Sequence, residues 1–186
     1  SPGDSGADSS AKARMPPHCA WPSTTMCFTL SACTANSSAA ETARRLVQAF
    51  DPIHGGFAGA PKFPQAPLLH FLWRQALAST DQAIRQAVLH TLANICQGGI
   101  YDHLGGGFAR YSVDGLWLVP HFEKMLYDNA QLIALLSDTW ADTQNPLFAA
   151  RVRESIGWLE REMLVGDAFA SSLDADSEGE EGKFYV

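Results

Sequence analysis

The stretch GGIYDHLGGGFARYSVDGLWLVPHFEKMLYDNAQL, Gly98 to Leu132, sets six glycines, six aromatic rings and four carboxylates directly ahead of an apolar helical run. A connector that only turns the chain needs a few Gly, Asn or Ser. This one also holds Tyr101, Asp102, His103, Arg110, Tyr111, Asp114, Trp117, His121, Glu123, Lys124, Tyr127 and Asp128. Its end predicts a helix from about His121 to Trp140, preceded by Pro120 and striped by Phe122, Leu126, Ile133, Leu136 and Trp140. Met125, Leu132 and Leu135 widen the stripe, which predicts a helix buried nearly all round. On such a helix His121, Lys124 and Asp128 share one face, and Glu123 and Tyr127 share the next. The free N–H groups of its first turn then favour an anion or a polar ligand.

Working outward, Ser37 to Phe50 reads as a helix with Ser38 and Glu41 in capping-box spacing, ended by Asp51-Pro52. The Gly- and Pro-rich DPIHGGFAGAPKFPQAP follows. PLLHFLWRQALAS is a second helix with Leu68, Leu72 and Leu77 apolar, and Asp81 caps a third, DQAIRQAVLHTLANICQ, on which Ile84, Val88, Leu92 and Ile95 recur. Beyond the central stretch Pro146 opens PLFAARVRESIGWLEREML, and AFASSLDADSEGEEGKFYV reads as a polar loop between two strand-like runs. Short and long links alternate, so the helices form successive αα-hairpins with the long links on one face. Long loops inside a compact domain are usually functional, which places the chemistry at that end.

Composition narrows the class. A hydrophobic fraction of 46% with 18% charged residues over 186 residues suits one globular domain. A net charge of −7, with Arg44-Arg45 the only adjacent basic pair, argues against nucleic acid. No apolar run reaches the roughly 18–20 residues of a membrane span. Residues 1–37 show no period of either kind and read as an irregular or non-native segment; the domain is 38–186. Cys19, Cys27, Cys33 and Cys96 form no CxxC and no zinc spacing, so reduced thiols, a cytoplasmic setting, and neither metal nor cofactor are expected.

Several residues admit two readings. His121 and Glu123 either contact a ligand as acid/base groups or tie down the preceding loop, and Lys124–Asp128 is either part of a site or an ordinary helix ion pair. In YDHLGGGFARYS the glycines either let backbone approach a ligand or make a tight turn in a hairpin-like lid. Tyr101, Tyr111, Trp117 and Tyr127 either stack on a ring or pack the top of the helices. DADSEGEEG imitates the start of an EF-hand, but Tyr185 stands at the twelfth position, where a bidentate Glu belongs. Asp174 or Asp176 facing Glu123 would instead give the carboxylate pair of a glycosidase. HGGFAGAPKFP either forms a rim that positions Lys62 and Phe63 or is a structural corner, and His70 and His90 read as packing or surface residues.

Three strings, DPIHGGFAGAPKFPQ, the central stretch and SSLDADSEGEEGKFYV, resemble in order the thioredoxin-domain-containing proteins related to spermatogenesis-associated protein 20. That family joins a thioredoxin-like domain to a six-hairpin helical barrel similar to the N-acylglucosamine 2-epimerases. The resemblance implies an all-α fold, a truncated part of an (α/α)6 barrel of the six-hairpin glycosidase kind. YDNA, Tyr127 to Ala130, looks like the inner-helix signature of those epimerases, whose catalytic histidines tend to lie in later hairpins. HCAW at His18 to Trp21 lacks the paired cysteine of a thioredoxin-like motif, so no thiol chemistry is assigned. The implied function is carbohydrate binding with epimerase- or isomerase-like acid–base chemistry in an intact parent. His121 and Glu123 would be catalytic, with Tyr101, Asp102, Arg110, Tyr111, Trp117, Lys124, Tyr127, Asp128, Asp174 and Asp176 against the substrate. A thioredoxin-like domain is the implied partner, and the isolated chain is expected to expose apolar surface and self-associate. The alternatives are a noncatalytic interaction module and a glycoside hydrolase.

Overall fold

The computed structural model describes residues 38–183; the sequence readings for residues 1–37, with Cys19, Cys27 and Cys33, and for Tyr185 fall outside that range. Five helices build it: α1 (residues 38–48), α2 (Ala66–Ser79), α3 (Gln82–Gln97), α4 (Leu126–Thr143) and α5 (Pro146–Trp158), the last running into a π-helical turn at Leu159–Met163. α2 packs on α3 and α4 on α5 as hairpins, while α2 touches α4 and α3 touches α5, which makes a double layer. None of the described helices is long and apolar enough to cross a membrane.

Local chemistry accounts for the two short links. The Asp81 side chain accepts from the N–H groups of Ala83 and Ile84, and Asn145 accepts from Leu147 N–H, as N-caps do. On α3 the expected stripe Ile84, Val88, Leu92 and Ile95 is fully buried, and each such side chain stabilises by about 1.5–3 kcal/mol. On α2 the buried face is Leu69, Leu72, Trp73 and Ala76 rather than the expected Leu68, Leu72 and Leu77; Leu77 is exposed. Glu41 is tied to Arg44 and Arg45 on its own helix. Cys96 is buried and free, and burial pushes its thiol up to about 12.

The long links do gather at one end, and short β-pairs join them. Lys62 and Ser112 form an isolated bridge between the first two links. Within the second, β1 (Tyr111–Ser112) pairs with β2 (Pro120–His121). β3 (Lys124–Met125) pairs with β6 (Ser172–Leu173) of the third link. Two further hairpins lie in the third link: β4 (Leu164–Val165) with β5 (Ala168–Phe169), and β7 (Asp176–Ser177) with β8 (Glu180–Glu181). The last turns through Glu178 and Gly179, both at positive φ. The layers are helical, as the all-α expectation has it, but their long-link end is stitched by two-residue strands that it did not include.

The start of α4 is a correction. Residues 120–125 are extended, and the helix begins at Leu126. Their backbone is paired within the second link and with the third: Arg110 N–H donates to Glu123 C=O, β2 pairs with β1, and β3 pairs with β6. His121, Lys124 and Asp128 therefore share no helix face, and Phe122 leaves the stripe. The buried side of α4 is Asn129, Leu132, Leu135, Leu136 and Thr139, with Tyr127 and Trp140 exposed.

The first two links also repeat one motif. Phe50-Asp51 and Tyr101-Asp102 each lead to Gly-Gly-Phe at the same spacing, ending at Phe57 and Phe108, and the flanking aromatic pairs Phe50–Phe57 and Tyr101–Phe108 form matching bridges. Asp51 accepts from the N–H of Ile53 and His54, and Asp102 from those of Leu104 and Gly105. Each aspartate then pairs with a buried lysine, Lys62 at 3.0 Å and Lys124 at 2.7 Å. Each ammonium sits 5.0 Å over a buried tryptophan, Trp117 or Trp158.

Candidate functional site

What the second link adds to this repeat is a polar and aromatic cluster. Strand register puts Tyr111 beside His121, and their rings stack with centroids 4.6 Å apart and planes 13° from parallel. Phe63, from the first link, lies 4.7 Å from the Tyr111 ring on its own account. Arg110 Nη1 donates to Glu123 Oε2 at 2.9 Å, and the same carboxylate oxygen lies 3.8 Å from His121 Nε2. His121 Nδ1 is 2.7 Å from Oε1 of Glu181, brought in by the third link.

Beside this cluster, a hollow of about 170 Å³ opens between the N-terminal ends of α2 and α4, lined in part by Phe63, Arg110, Tyr127, Asp128 and Gln131. Asp128 Oδ2 is buried there with no hydrogen-bond partner within the protein. Burial raises the Asp128 carboxyl above the ordinary carboxylate range, outweighing the pull of Arg110, and the Glu123 charge pushes the same way as burial. An orphaned buried oxygen beside an arginine and exposed aromatic rings has the make-up of a polar ligand site. Among the described residues, no group of three or more His, Cys, Asp or Glu side chains could hold a metal ion.

The candidate residues divide. His121, Glu123, Arg110 and Tyr111 meet in one cluster, and Arg110 also lines the hollow with Tyr127 and Asp128. Trp117 is fully buried and its Nε1 donates to His54 C=O, so it offers no ring face. Tyr101 is buried too; its hydroxyl donates to Glu154 at 2.6 Å, and burial with that carboxylate raises its pKa. Asp102 and Lys124 are the loop's own ion pair, and Lys124 also donates to Gly106 C=O. Burial pushes the Asp102 carboxyl up, but the N–H of Gly105, the Lys124 ammonium and the N–H of Leu104 outweigh it and hold it low. Asp174 and Asp176 are exposed, and Asp174 accepts from Asp176 N–H. The third-link carboxylate that reaches the cluster is Glu181.

Asn129 is a structural residue of YDNA. Fully buried, its Oδ1 accepts from Phe108 N–H at 2.7 Å while its Nδ2 donates to Phe108 C=O and to Met125 C=O. It bonds the Gly-rich loop as a neighbouring strand would. Of the residues the sequence reading gave no role, Glu181 was marked only by its place in the DADSEGEEG run, and Asn129 only by its place in YDNA.

The double helical layer is one shared with α/α-barrel sugar epimerases. Cellobiose 2-epimerase from Spirochaeta thermophila superposes with a TM-score of 0.65, covering 81% of this chain and 41% of that one at 20% identity. A sugar epimerase from a ruminal bacterium gives 0.60 over 73% and 40% at 15% identity. The chain is a homologue of spermatogenesis-associated protein 20: it is 38% identical to the mouse protein over 167 residues, 84% of this chain and 21% of the mouse protein. It spans about a fifth of the length of the curated relatives of that name. No protein-family model matches the chain.

Proposed function

We propose that this chain is part of a six-hairpin (α/α)6-barrel domain whose long-link end binds a carbohydrate and moves a proton on it, as an epimerase or isomerase does. The observation that carries this reading is the Asp128 oxygen buried without a partner in a hollow beside Arg110, next to a histidine set between carboxylates. The epimerase-like fold supports the substrate class. His121 takes the proton from the carbon next to the sugar's carbonyl, and the C–H electron pair moves into a carbon–carbon double bond as the carbonyl pair moves to oxygen. Asp128, its protonated form favoured by burial, gives that oxygen a hydrogen. The Glu123 carboxylate, paired with Arg110, stands beside the imidazolium that forms. Return of the proton by His121 to the former carbonyl carbon, while the neighbouring hydroxyl gives its hydrogen to the Asp128 carboxylate and becomes the new carbonyl, gives an isomer and restores both groups; return to the original carbon on the opposite face needs a second acid. The catalytic assignments are therefore His121 with Asp128, while Glu123 and Arg110 supply charge and Tyr111 and Tyr127 supply ring contacts.

The test is exchange of the sugar's carbon-bound hydrogen with deuterated solvent, catalysed by the full-length protein across a panel of mono- and disaccharides. Exchange on at least one sugar, lowered about 100-fold or more by His121→Ala with the melt unchanged, is the expected result. A folded protein that exchanges no sugar hydrogen rejects the reading.

A second reading is favoured by one observation. Leu116, Leu118 and Val119 expose apolar side chains on the second link, as a noncatalytic docking face for a thioredoxin-like domain in a cytoplasmic protein would. The same exposure supports self-association of the isolated chain. Exchange activity that survives Leu118→Ser while binding of that domain is lost would make the two readings compatible.

A further inference from the structure

We infer that Glu181 is a positioning residue for His121: it fixes which ring nitrogen carries hydrogen and leaves Nε2 as the nitrogen able to take a proton. The inference rests on the acid–base reading of His121 for its functional meaning, and on geometry for its structural content. An ionised carboxylate only accepts hydrogen bonds, so the 2.7 Å contact between Glu181 Oε1 and His121 Nδ1 requires hydrogen on Nδ1. In neutral imidazole the lone pair then lies on Nε2. That nitrogen looks toward Glu123 Oε2 at 3.8 Å, too far for a hydrogen bond. The lone pair thus stays available.

Two features keep the ring in this orientation. Tyr111 stacks on it almost in parallel, and the β1–β2 pairing fixes the backbone of both residues. Glu181 itself stands on β8 opposite Asp176, behind the Glu178-Gly179 turn, so the β7–β8 hairpin delivers its carboxylate. A carboxylate bonded to one ring nitrogen, with the lone pair left on the other, is how a histidine is oriented for general-base work. Glu123, held by Arg110, lies on the opposite side of the ring and stabilises the imidazolium once the proton arrives. The two carboxylates thus divide the labour: Glu181 sets the tautomer before the transfer, and Glu123 balances the charge after it.

The experiment follows the hydrogen directly. In full-length protein labelled with 15N-histidine, His121 is assigned by its loss in His121→Gln, and its ring nitrogens report the tautomer. Hydrogen on Nδ1 is expected, the form that free histidine disfavours. Glu181→Ala should move it to Nε2 and lower sugar hydrogen exchange at least about tenfold, and Glu181→Asp should restore part of both. Glu181→Gln keeps the shape but can donate as well as accept, so it should give a mixture of tautomers even if the alanine variant folds poorly. Hydrogen on Nε2 in the unaltered protein, or a tautomer indifferent to all three substitutions, overturns the inference. A tautomer that obeys Glu181 in a protein that exchanges no sugar hydrogen sustains this assignment and rejects the carbohydrate reading alone.

Discussion

The first long link carries Asp51, Gly55-Gly56-Phe57 and Lys62, set against the Trp117 ring of the second link; the second carries Asp102, Gly106-Gly107-Phe108 and Lys124, set against the Trp158 ring of α5. In both, the aspartate closes the turn, the lysine neutralises it from inside, and a glycine at positive φ passes against the indole. Only the second link continues into Arg110, Tyr111, His121 and Glu123. Comparing the two separates scaffold from site. What recurs in both links is how such a link is held, and what occurs once is available for chemistry. Asp102 and Lys124, attractive as ligand groups in the sequence, belong to the recurring part.

The largest effects should come from the shared lysines. Lys62→Met and Lys124→Met each strand a half-buried aspartate and should cost about 3 kcal/mol in chemical denaturation. A cost confined to one of them would break the equivalence of the links. Next come the glycines: an added Cβ would lie 2.9 Å from the Trp117 ring at Gly56 and 2.7 Å from that of Trp158 at Gly107. Gly56→Ala and Gly107→Ala should each cost about 2 kcal/mol through crowding and left-handed backbone, read by the same method.

The smallest effect sharpens the contrast, because it changes sign. The N–H of His54, against burial and with Ile53 N–H and Lys62, lowers Asp51 from 3.8 to about 2, and Asp102 shifts in the same direction. A depressed carboxyl contributes stability that is present above its unfolded value and lost as pH falls through the folded one. Asp51→Asn should therefore flatten acid destabilisation between about pH 4 and pH 2. Asp128 is raised, so its contribution is present below the ordinary carboxylate range and lost as pH rises through its folded value. Asp128→Asn should stabilise the protein at neutral pH, by up to about 1 kcal/mol, and the gain should vanish on acidification. Thermal melts across pH show both.

Much of the helical part was legible because it is written locally. The cap at Asp81, the start of α5 at Pro146, the α3 stripe and the gathering of long links all follow from spacing within a few residues. The start of α4 did not, since residues 120–125 have a helical pattern but give their backbone groups to Arg110 and the third link. Strands of two residues are too short for alternation to reveal them. The repeated Asp, Gly-Gly-Phe pattern was visible in the sequence, yet its lysines follow at unequal distances, which hid the ion pairing that Asp102 and Lys124 share with Asp51 and Lys62. Glu181 reaches His121 from 60 residues away, a contact that only the stacking of the third link on the second creates.

Asn129 has a consequence in time as well as in shape. Its amide gives Phe108 both bonds of a sheet partner, although Phe108 lies in a connector beside glycines. The Phe108 amide should therefore exchange with solvent as slowly as those of the buried helices. Slow exchange at Phe108 would make the glycine-rich link part of the protein's slow-opening unit, and with it the base from which Asp128, the residue before Asn129, is presented.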